Sequence, residues 1–422
     1  MLAGLVAARR TGEDAAVEVP EPSELLQRLG ALPAGAPLMR RLDGQAGVYV
    51  VGGAVRDLVL GGHPFDLDLV VEGDAGAVAR RLDGEVVVHD RFGTSTATVD
   101  GFSYDIAGAR RETYSSPGAL PDVTPATLAD DLGRRDFTVN AIALALGGPG
   151  AGELSAVPGA LDDLDKHVLR VLHDRSFIDD PTRLLRLARY RGRLGFELDP
   201  HTRELASAAV AAAALKTVSG PRIGTELRLL ARERDPIAAL GALRELGLDR
   251  AIDPRFGLDD ASLARRALAL LPEDGSPDRL VLALAARRIP REQLVSLLDS
   301  LGFHATDRDT IVAAATGAED LAHALTAAVR PSQVAAAAFG ARPELVAFAG
   351  ALGPARAVRD WLSHLRHVEL EIDGRDLLAA GVPPGPAIGA GLRAALAAKL
   401  DGRAQGREAE LSAALEGSAA TG

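Results

Sequence analysis

"HPFDLDLVVEG", residues 63–73, sets two aspartates one residue apart in an otherwise apolar run. Aspartate is depleted from strands and is rarely buried without a partner. Asp66 and Asp68 therefore need a reason to stand here. The run predicts a strand, in which residues i and i+2 share one face about 6–7 Å apart. Asp66 and Asp68 then point one way, and Leu67 and Leu69 the other. Two carboxylates this close repel unless a cation lies between them. Magnesium suits such a pair, because it takes oxygen ligands and keeps positions for phosphate oxygens. The alternative is the solvated face of an edge strand.

Upstream, "GVYVVGG" (47–53) reads as a buried strand ending in glycines, and "AVRDLVLG" (54–61) as a short helix closed by Gly61. Glycines at Gly52 and Gly53 let backbone N–H groups approach an anion, and Arg56 lies one turn into the helix. Phosphate cradle and metal pair are the parts of a phosphoryl-transfer site. They are not a dinucleotide fingerprint, since Ala54 stands where G-x-G-x-x-G needs glycine. A third acid, Asp105 in "FSYDIAGAR", lies on a strand that can pair beside the first two. Its alternative is a hairpin acid facing water.

"DAGAVARRLDG" (74–84) predicts a helix with Asp74 as N-cap and Gly84 past its end. "EVVVHD", "TSTATVD" and "FSYDIAG" predict three strands, the last two joined as a hairpin at Asp100-Gly101. These elements make a mixed sheet with helices packed on it. After about residue 175 strands nearly vanish, and "DDPTRLLRLARYRGRLG", "PHTRELASAAVAAAAL" and "SGPRIGTELRLLARE" space their apolar residues as helices do. Residues 236–360 continue as alanine- and leucine-rich helices, and residues 373–396 read as helix, proline-rich loop and helix. The pattern is a small α/β head followed by a long helical remainder.

At 422 residues and 47% hydrophobic, the chain is long enough for more than one compact unit. With no cysteine there is no disulfide, thiolate metal site or cysteine nucleophile. The start, "MLAGLVAARRTGEDAA", fits neither a secretory signal nor a membrane span, so a cytoplasmic location is expected. A net charge of −11, taken as a sum, argues against a nucleic-acid partner. Placement matters more than the sum: "RLLRLARYRGR", Arg183–Arg193, holds five arginines and no acid.

"GGAVRD", "DLDLVVEGDA", "DIAGARRETY", "PGALPDV", "RRDFTVNAIAL", "DDPTRLLRLARYRGRLGF" and "SGPRIGTEL" follow one another in an order that resembles the class II tRNA nucleotidyltransferases. These are the bacterial CCA-adding enzymes, akin to bacterial poly(A) polymerases. The resemblance covers residues 45–250 strongly and "GVPPGPAIG" more weakly. It implies an α+β protein: a nucleotidyltransferase head with a mixed sheet, then an all-helical neck, body and tail. Residues 1–44 are then a lead-in, 45–172 the head and 173–250 a neck for nucleotide selection and RNA binding. Residues 251–422 are a body and tail for tRNA binding.

The resemblance also implies chemistry. The 3′-hydroxyl of a tRNA attacks the α-phosphate of CTP or ATP, without a template, and pyrophosphate leaves. Asp66 and Asp68 hold two Mg²⁺ ions and Asp105 is a further carboxylate. Arg56 and the Gly52-Gly53 turn hold the triphosphate, and Arg135 and Asp136 read the ribose. Asp180 and Arg183, at i and i+3, project from one helix face. A carboxylate only accepts hydrogen bonds and a guanidinium only donates, so the pair matches the pairing edge of C or A rather than G or U. Asp180 before Pro181 is also a good N-cap. The family usually has Glu-Asp where this chain has Asp179-Asp180, which shortens one arm. Arginines 186, 189, 191 and 193 divide between packing through their stems and meeting the tRNA backbone.

CC-only and A-only tRNA enzymes and poly(A) polymerases are the nearest rivals. The segment Tyr114–Arg134 bears on that choice, because CC-only members lack part of a loop there. The acidic "REAELSAALEGSAATG" end favours tRNA over mRNA. Small-molecule nucleotidyltransferases and inactive RNA-binding proteins are more remote. His89-Asp90 and His173-Asp174 lack a further spaced set and read as incidental. No protein partner is implied.

Overall fold

The computed structural model describes residues 20–89 and 94–419. Residues 1–19 of the lead-in, Asp90 of the His89-Asp90 pair and residues 420–422 at the acidic end lie outside the described residues. The chain forms two compact units, divided between Val218 and Ser219. That division falls inside the 173–250 segment expected to act as a neck.

The first unit runs α1 (Pro22–Ala31), α2 (Gly35–Arg41), β1 (Val48–Val51), α3 (Gly53–Val59), β2 (Asp68–Val71), α4 (Ala75–Arg81), β3 (Glu85–His89), β4 (Thr94–Val99) and β5 (Phe102–Gly108). It continues through the hairpin β6 (Arg110–Thr113) and β7 (Asp122–Pro125), then α5 (Leu128–Gly133), β8 (Ile142–Ala145), β9 (Leu154–Ala156) and α6 (Ala160–Asp165). Helices α7 (Ser176–Asp179), α8 (Thr182–Leu194) and α9 (Pro200–Ala211) follow. The main sheet has the order β3-β4-β5-β2-β1-β8-β9, with β2 and β5 parallel and every other pair antiparallel. It is the mixed sheet expected. Helices α3 and α4 pack on it at β1, β8, β4 and β5.

Local chemistry explains these elements. Asp74 caps α4, its Oδ1 accepting from the Ala77 N–H at 3.0 Å. Asp100 and Gly101 both have positive φ (51° and 84°), as a two-residue type I′ hairpin requires. Gly84 lies past the end of α4, as expected, and the left-handed residue there is Asp83, at φ 50°. Gly84 is required for clearance, since a Cβ on it would lie 2.2 Å from the Thr98 carbonyl oxygen.

Strand β2 begins at Asp68, so Asp66 precedes it. The alternation still holds across the entry: Asp66 and Asp68 are exposed while Leu67 and Leu69 are buried. It ends at Val70, which is also buried, because Leu128 and Leu132 of α5 cover that face in a cluster with Val51 and Val70. Helix α5 thus leaves the polar face of β2 open only at its first residues.

In the second unit every described element is helical, from Gly220–Ala231 to Arg407–Ala419. Its core gathers Leu321, Leu325, Val346, Val358 and Leu362. A separate cluster of Ile372, Leu377, Ala395 and Ala414 joins the last three helices, and Lys399 reaches the buried Glu410 at 2.7 Å. No helix of the described residues is long and apolar enough to cross a membrane.

Candidate active site

Strand pairing assembles the first part of the site. In the parallel β2–β5 ladder Leu69 is opposite Ile106. One residue earlier, the same register sets Asp68 beside Asp105 on neighbouring strands, which run about 4.8 Å apart. Both side chains are exposed, on the face opposite buried Leu69 and Ile106. Thr96 on β4 donates to Asp105 Oδ1 at 2.7 Å, fixing that carboxylate. Partial removal from water raises the pKa of Asp68, and the charges of Asp105 and Asp66 add to the rise against the pull of Arg135 and Arg186. A like-charged oxygen pair of this kind invites a hard cation.

Asp68 and Asp105 floor a cavity of about 300 Å³ whose wall includes Thr96, Arg110, Arg134 and Arg135. Asp66 stands just before the strand and does not line it. Among the described residues no three histidine or acidic side chains converge into a ready-made metal cage. Two carboxylates leave most of an octahedral shell to water or to ligand oxygens.

The Gly52-Gly53 turn lies behind this wall. Gly52 has φ 73° and ψ −139°, a region nearly confined to glycine. A Cβ there would lie 3.1 Å from Arg135 Nη1, so the missing side chain makes room for that guanidinium. Arg135 donates through Nη2 to Asp131 at 3.0 Å. Asp131, wholly buried at the end of α5, also accepts from Arg134 at 2.6 Å, so one carboxylate aims both arginines.

Two expected ligand contacts sit elsewhere. Arg56 is buried, donating to Asn140 Oδ1 at 2.6 Å and pairing with Asp57 at 2.7 Å. Its guanidinium lies under Gly53, 5.9 Å from the Tyr190 ring, and props the turn from beneath rather than reaching toward a phosphate. Asp136 is likewise buried. It accepts from Asn140 at 3.1 Å and from the Phe137 N–H at 2.8 Å, and pairs with Arg186 at 2.7 Å. Burial alone would raise its pKa, but Arg186, Asn140, Arg183 and the Phe137 amide together hold it below the usual carboxylate value. Asp136 therefore anchors α8 to the Asn140 turn and is not presented to a sugar.

A second cavity, of about 420 Å³, is lined by Arg183 together with Tyr114, Glu112, Arg134, His173 and Asp179. Arg134 belongs to both cavities. Arg183 is buried, with Nη1 donating to Ser176 Oγ at 2.8 Å and Nη2 to the Arg134 carbonyl at 2.7 Å. Asp180 is not the N-cap expected: that place falls to Pro181, and Asp180 closes α7, its Oδ1 accepting from the Thr182 N–H at 3.1 Å and the Thr182 hydroxyl at 2.6 Å across the turn into α8. The acid lining the cavity is its neighbour Asp179, which pairs with Arg175 at 2.8 Å. His173 faces the same space, its pKa lowered by burial and by Arg183. The arginine stripe of α8 divides: Arg183 and Arg189 are buried, Arg186 and Arg191 half-buried with Arg191 paired to Glu197, and Arg193 exposed, while Arg189 and Arg193 pack their guanidinium groups on Tyr190.

The sequence reading missed Glu112, Asp131 and Asn140, and placed Arg134 only within the RRDFT motif and Arg186 only within the arginine stripe. The spacing of Asp131 to Arg134 and Arg135, i+3 and i+4 at a helix end, was the available signal. Glu112 had a local signal too, since its partners Arg110 and Tyr114 stand at i−2 and i+2; only its third partner, Arg134, is distant in sequence.

Residues 48–170 match the Poly A polymerase head domain family. The A-adding tRNA nucleotidyltransferase of Geobacter sulfurreducens is 35% identical over 86% of this chain and 44% of its own length, so the chain spans less than half of that relative. The CC-adding tRNA nucleotidyltransferase of Deinococcus radiodurans is 36% identical over 84% of this chain and 85% of its own length. Among solved structures, the Thermotoga maritima CCA-adding enzyme complexed with tRNA superimposes with a TM-score of 0.75 at 29% identity, covering 94% of this chain and 98% of that one. Similar in sequence along nearly the whole length of the Deinococcus protein, and in fold to the Thermotoga one, the chain belongs to the tRNA nucleotidyltransferase family.

Proposed function

We propose that this protein adds C, A or both from CTP and ATP to the 3′ end of tRNA, without a template and with release of pyrophosphate. The observation that carries the reading is the pair of cavities sharing Arg134: one floored by Asp68 and Asp105, the other built around Arg183. A nucleoside triphosphate has the matching halves, an anionic chain that seeks cations and a base with a hydrogen-bonding edge.

Asp68 and Asp105 would hold Mg²⁺, with Asp66 at the rim. The donor set fits, being hard oxygens, and partial burial with the neighbouring charge of Asp105 raises the pKa of Asp68, a penalty that a cation would relieve. Bound Mg²⁺ supplies a lowered pKa for the attacking hydroxyl and charge stabilisation on the leaving phosphates. Arg110, Arg134 and Arg135 hold the triphosphate, and Gly52 gives Arg135 its room. Arg183 donates to the base, Asp180 fixes the helix start that carries it, and the Asp179-Asp180 pair supplies the acceptor. Arg56 and Asp136 support these groups from below. The segments 45–172, 173–250 and 251–422 act as head, neck, and body with tail, the last two gripping tRNA. A cytoplasmic location follows from the substrates.

The test uses pure protein and tRNAs ending one, two or three nucleotides short of the CCA end, with CTP and ATP alone and together. Addition of A alone to the end lacking only A, of C alone to the shorter ends, or of all three nucleotides distinguishes the A-adding, CC-adding and CCA-adding tasks. Growth of a control mRNA with ATP alone identifies tail synthesis instead. No growth of any tRNA overturns the reading.

A further inference from the structure

Glu112 accepts four hydrogen bonds from the walls of the site, as Asp131 does, yet it sits on a two-stranded hairpin outside the main sheet. Its side chain is only 7% exposed. Oε1 accepts from Arg110 Nε at 3.2 Å and Nη2 at 3.0 Å, and from Arg134 Nη1 at 2.7 Å. Oε2 accepts from the Tyr114 hydroxyl at 3.0 Å. Arg110 lines the carboxylate-floored cavity, Tyr114 lines the other, and Arg134 lines both. One buried anion therefore ties together three groups that face the two cavities.

We propose that Glu112 is a positioning residue that holds Arg110 and Arg134 toward the triphosphate and Tyr114 toward the base, so that both halves of a nucleotide are gripped in one arrangement. Without its charge the two guanidinium groups repel each other across the space that Oε1 now fills. Arg134 would still be held by Asp131, on its other side. Arg110 would lose its carboxylate partner at that position. This inference rests on the proposed function, because it assumes that a nucleoside triphosphate occupies both cavities.

The substitution Glu112→Gln isolates the charge. Its amide oxygen can still accept from the two arginines, and its NH₂ can donate to the Tyr114 oxygen, so shape and bond number are kept. The result expected is a rise of about 10- to 100-fold in KM for CTP or ATP, the size of a lost hydrogen bond to a charged group. Inhibition by pyrophosphate should weaken by a similar factor. Glu112→Asp, which restores the charge on a shorter arm, should recover part of that loss. Wild-type KM and wild-type pyrophosphate inhibition in Glu112→Gln would overturn the proposal, as would a fall in kcat with both unchanged. Should Glu112→Gln fail to fold, Tyr114→Phe carries the test: it keeps the charge and cuts the Oε2 arm. Selection of C or A over G and U must fall while pyrophosphate inhibition stays at the wild-type level, and unchanged selection overturns the proposal. Wild-type extension of tRNA runs alongside. Its failure removes the proposed function, whereas equilibrium binding of CTP, ATP and pyrophosphate still tests Glu112 on its own.

Discussion

At the residue scale, Asp68 concentrates the chemistry. Asp68→Asn keeps the shape and removes one of two adjacent charges. Nucleotide transfer should fall at least about 100-fold, as for other groups acting on developing charge, while tRNA affinity stays near that of the wild type. Residual turnover close to wild type in a primer-extension assay would remove Asp68 from the site. The pKa direction adds a second expectation. A carboxylate whose folded pKa is raised binds its proton more tightly in the folded state, so it costs stability as pH rises through the ordinary aspartate range. Asp68→Asn should therefore match or exceed the wild-type melting temperature at neutral pH. Protons and cation compete for Asp68, so Mg²⁺ affinity should fall as pH drops into the carboxylate range. Affinity unchanged there would take Asp68 out of the cation site. Asp66, Asp68, Asp105 and Arg183 stand out in the sequence because each breaks a local pattern or completes a spacing. Arg56 and Asp136 stand out as well, but their partners, Asn140 and Arg186, are 84 and 50 residues away, and no short-range pattern shows that they turn inward.

At the scale of elements, helix α8 is tied to the Asn140 turn by an ion pair between buried Asp136 and half-buried Arg186. Removing Asp136 leaves Arg186 partly in water but takes the acceptor from Asn140 and the Phe137 amide, at a cost of about 1–3 kcal/mol. Asp136→Ala should show that loss as a lower denaturation midpoint, and a change under about 1 kcal/mol would mean that Asn140 and the Phe137 amide find another acceptor. The stabilisation from a carboxylate with a lowered folded pKa is present above its unfolded value and disappears as pH falls through the folded one. The gap between wild type and Asp136→Ala should thus narrow in acid. The Gly52 turn is a second element-scale device. Gly52→Ala should cost about 1–3 kcal/mol of strain and raise KM for CTP or ATP by displacing Arg135. Unchanged KM would show that the turn yields without moving the guanidinium. Strands β1, β2, β4 and β5 and helices α3, α4 and α8 were legible because their apolar periods and caps are strong. Strands β8 and β9 were not: "AIALAL" is a short continuous apolar run, in which helix and strand share one pattern. The β6–β7 hairpin was hidden by an eight-residue connection without a two-residue turn signal.

At the scale of the molecule, each compact unit has its own buried cluster. A fragment ending at Val218 should unfold cooperatively in urea and still bind CTP or ATP, while losing affinity for tRNA. A gradual, non-cooperative transition would mean that the first unit depends on the second for folding. With a net charge of −11, the proposed tRNA binding must rest on local cationic clusters. Affinity should then fall linearly as log K against log salt, and a flat response would mean that phosphate contacts contribute little. The helical character of the second unit was legible from composition and spacing alone. The division at Val218 was not, since "KTVSGPR" looks like any other link between two helices.

The one-residue offset between Leu69 and Asp68 has an evolutionary and engineering consequence. Slipping β2 by a single position against its neighbours would turn two leucines into water and two acids into the interior. Misalignment of the reactive groups is thereby converted into a gross folding defect, which quality control removes before it can yield a faulty catalyst. Mutational drift that preserves the greasy side of this strand preserves the spacing of its reactive side at no extra cost.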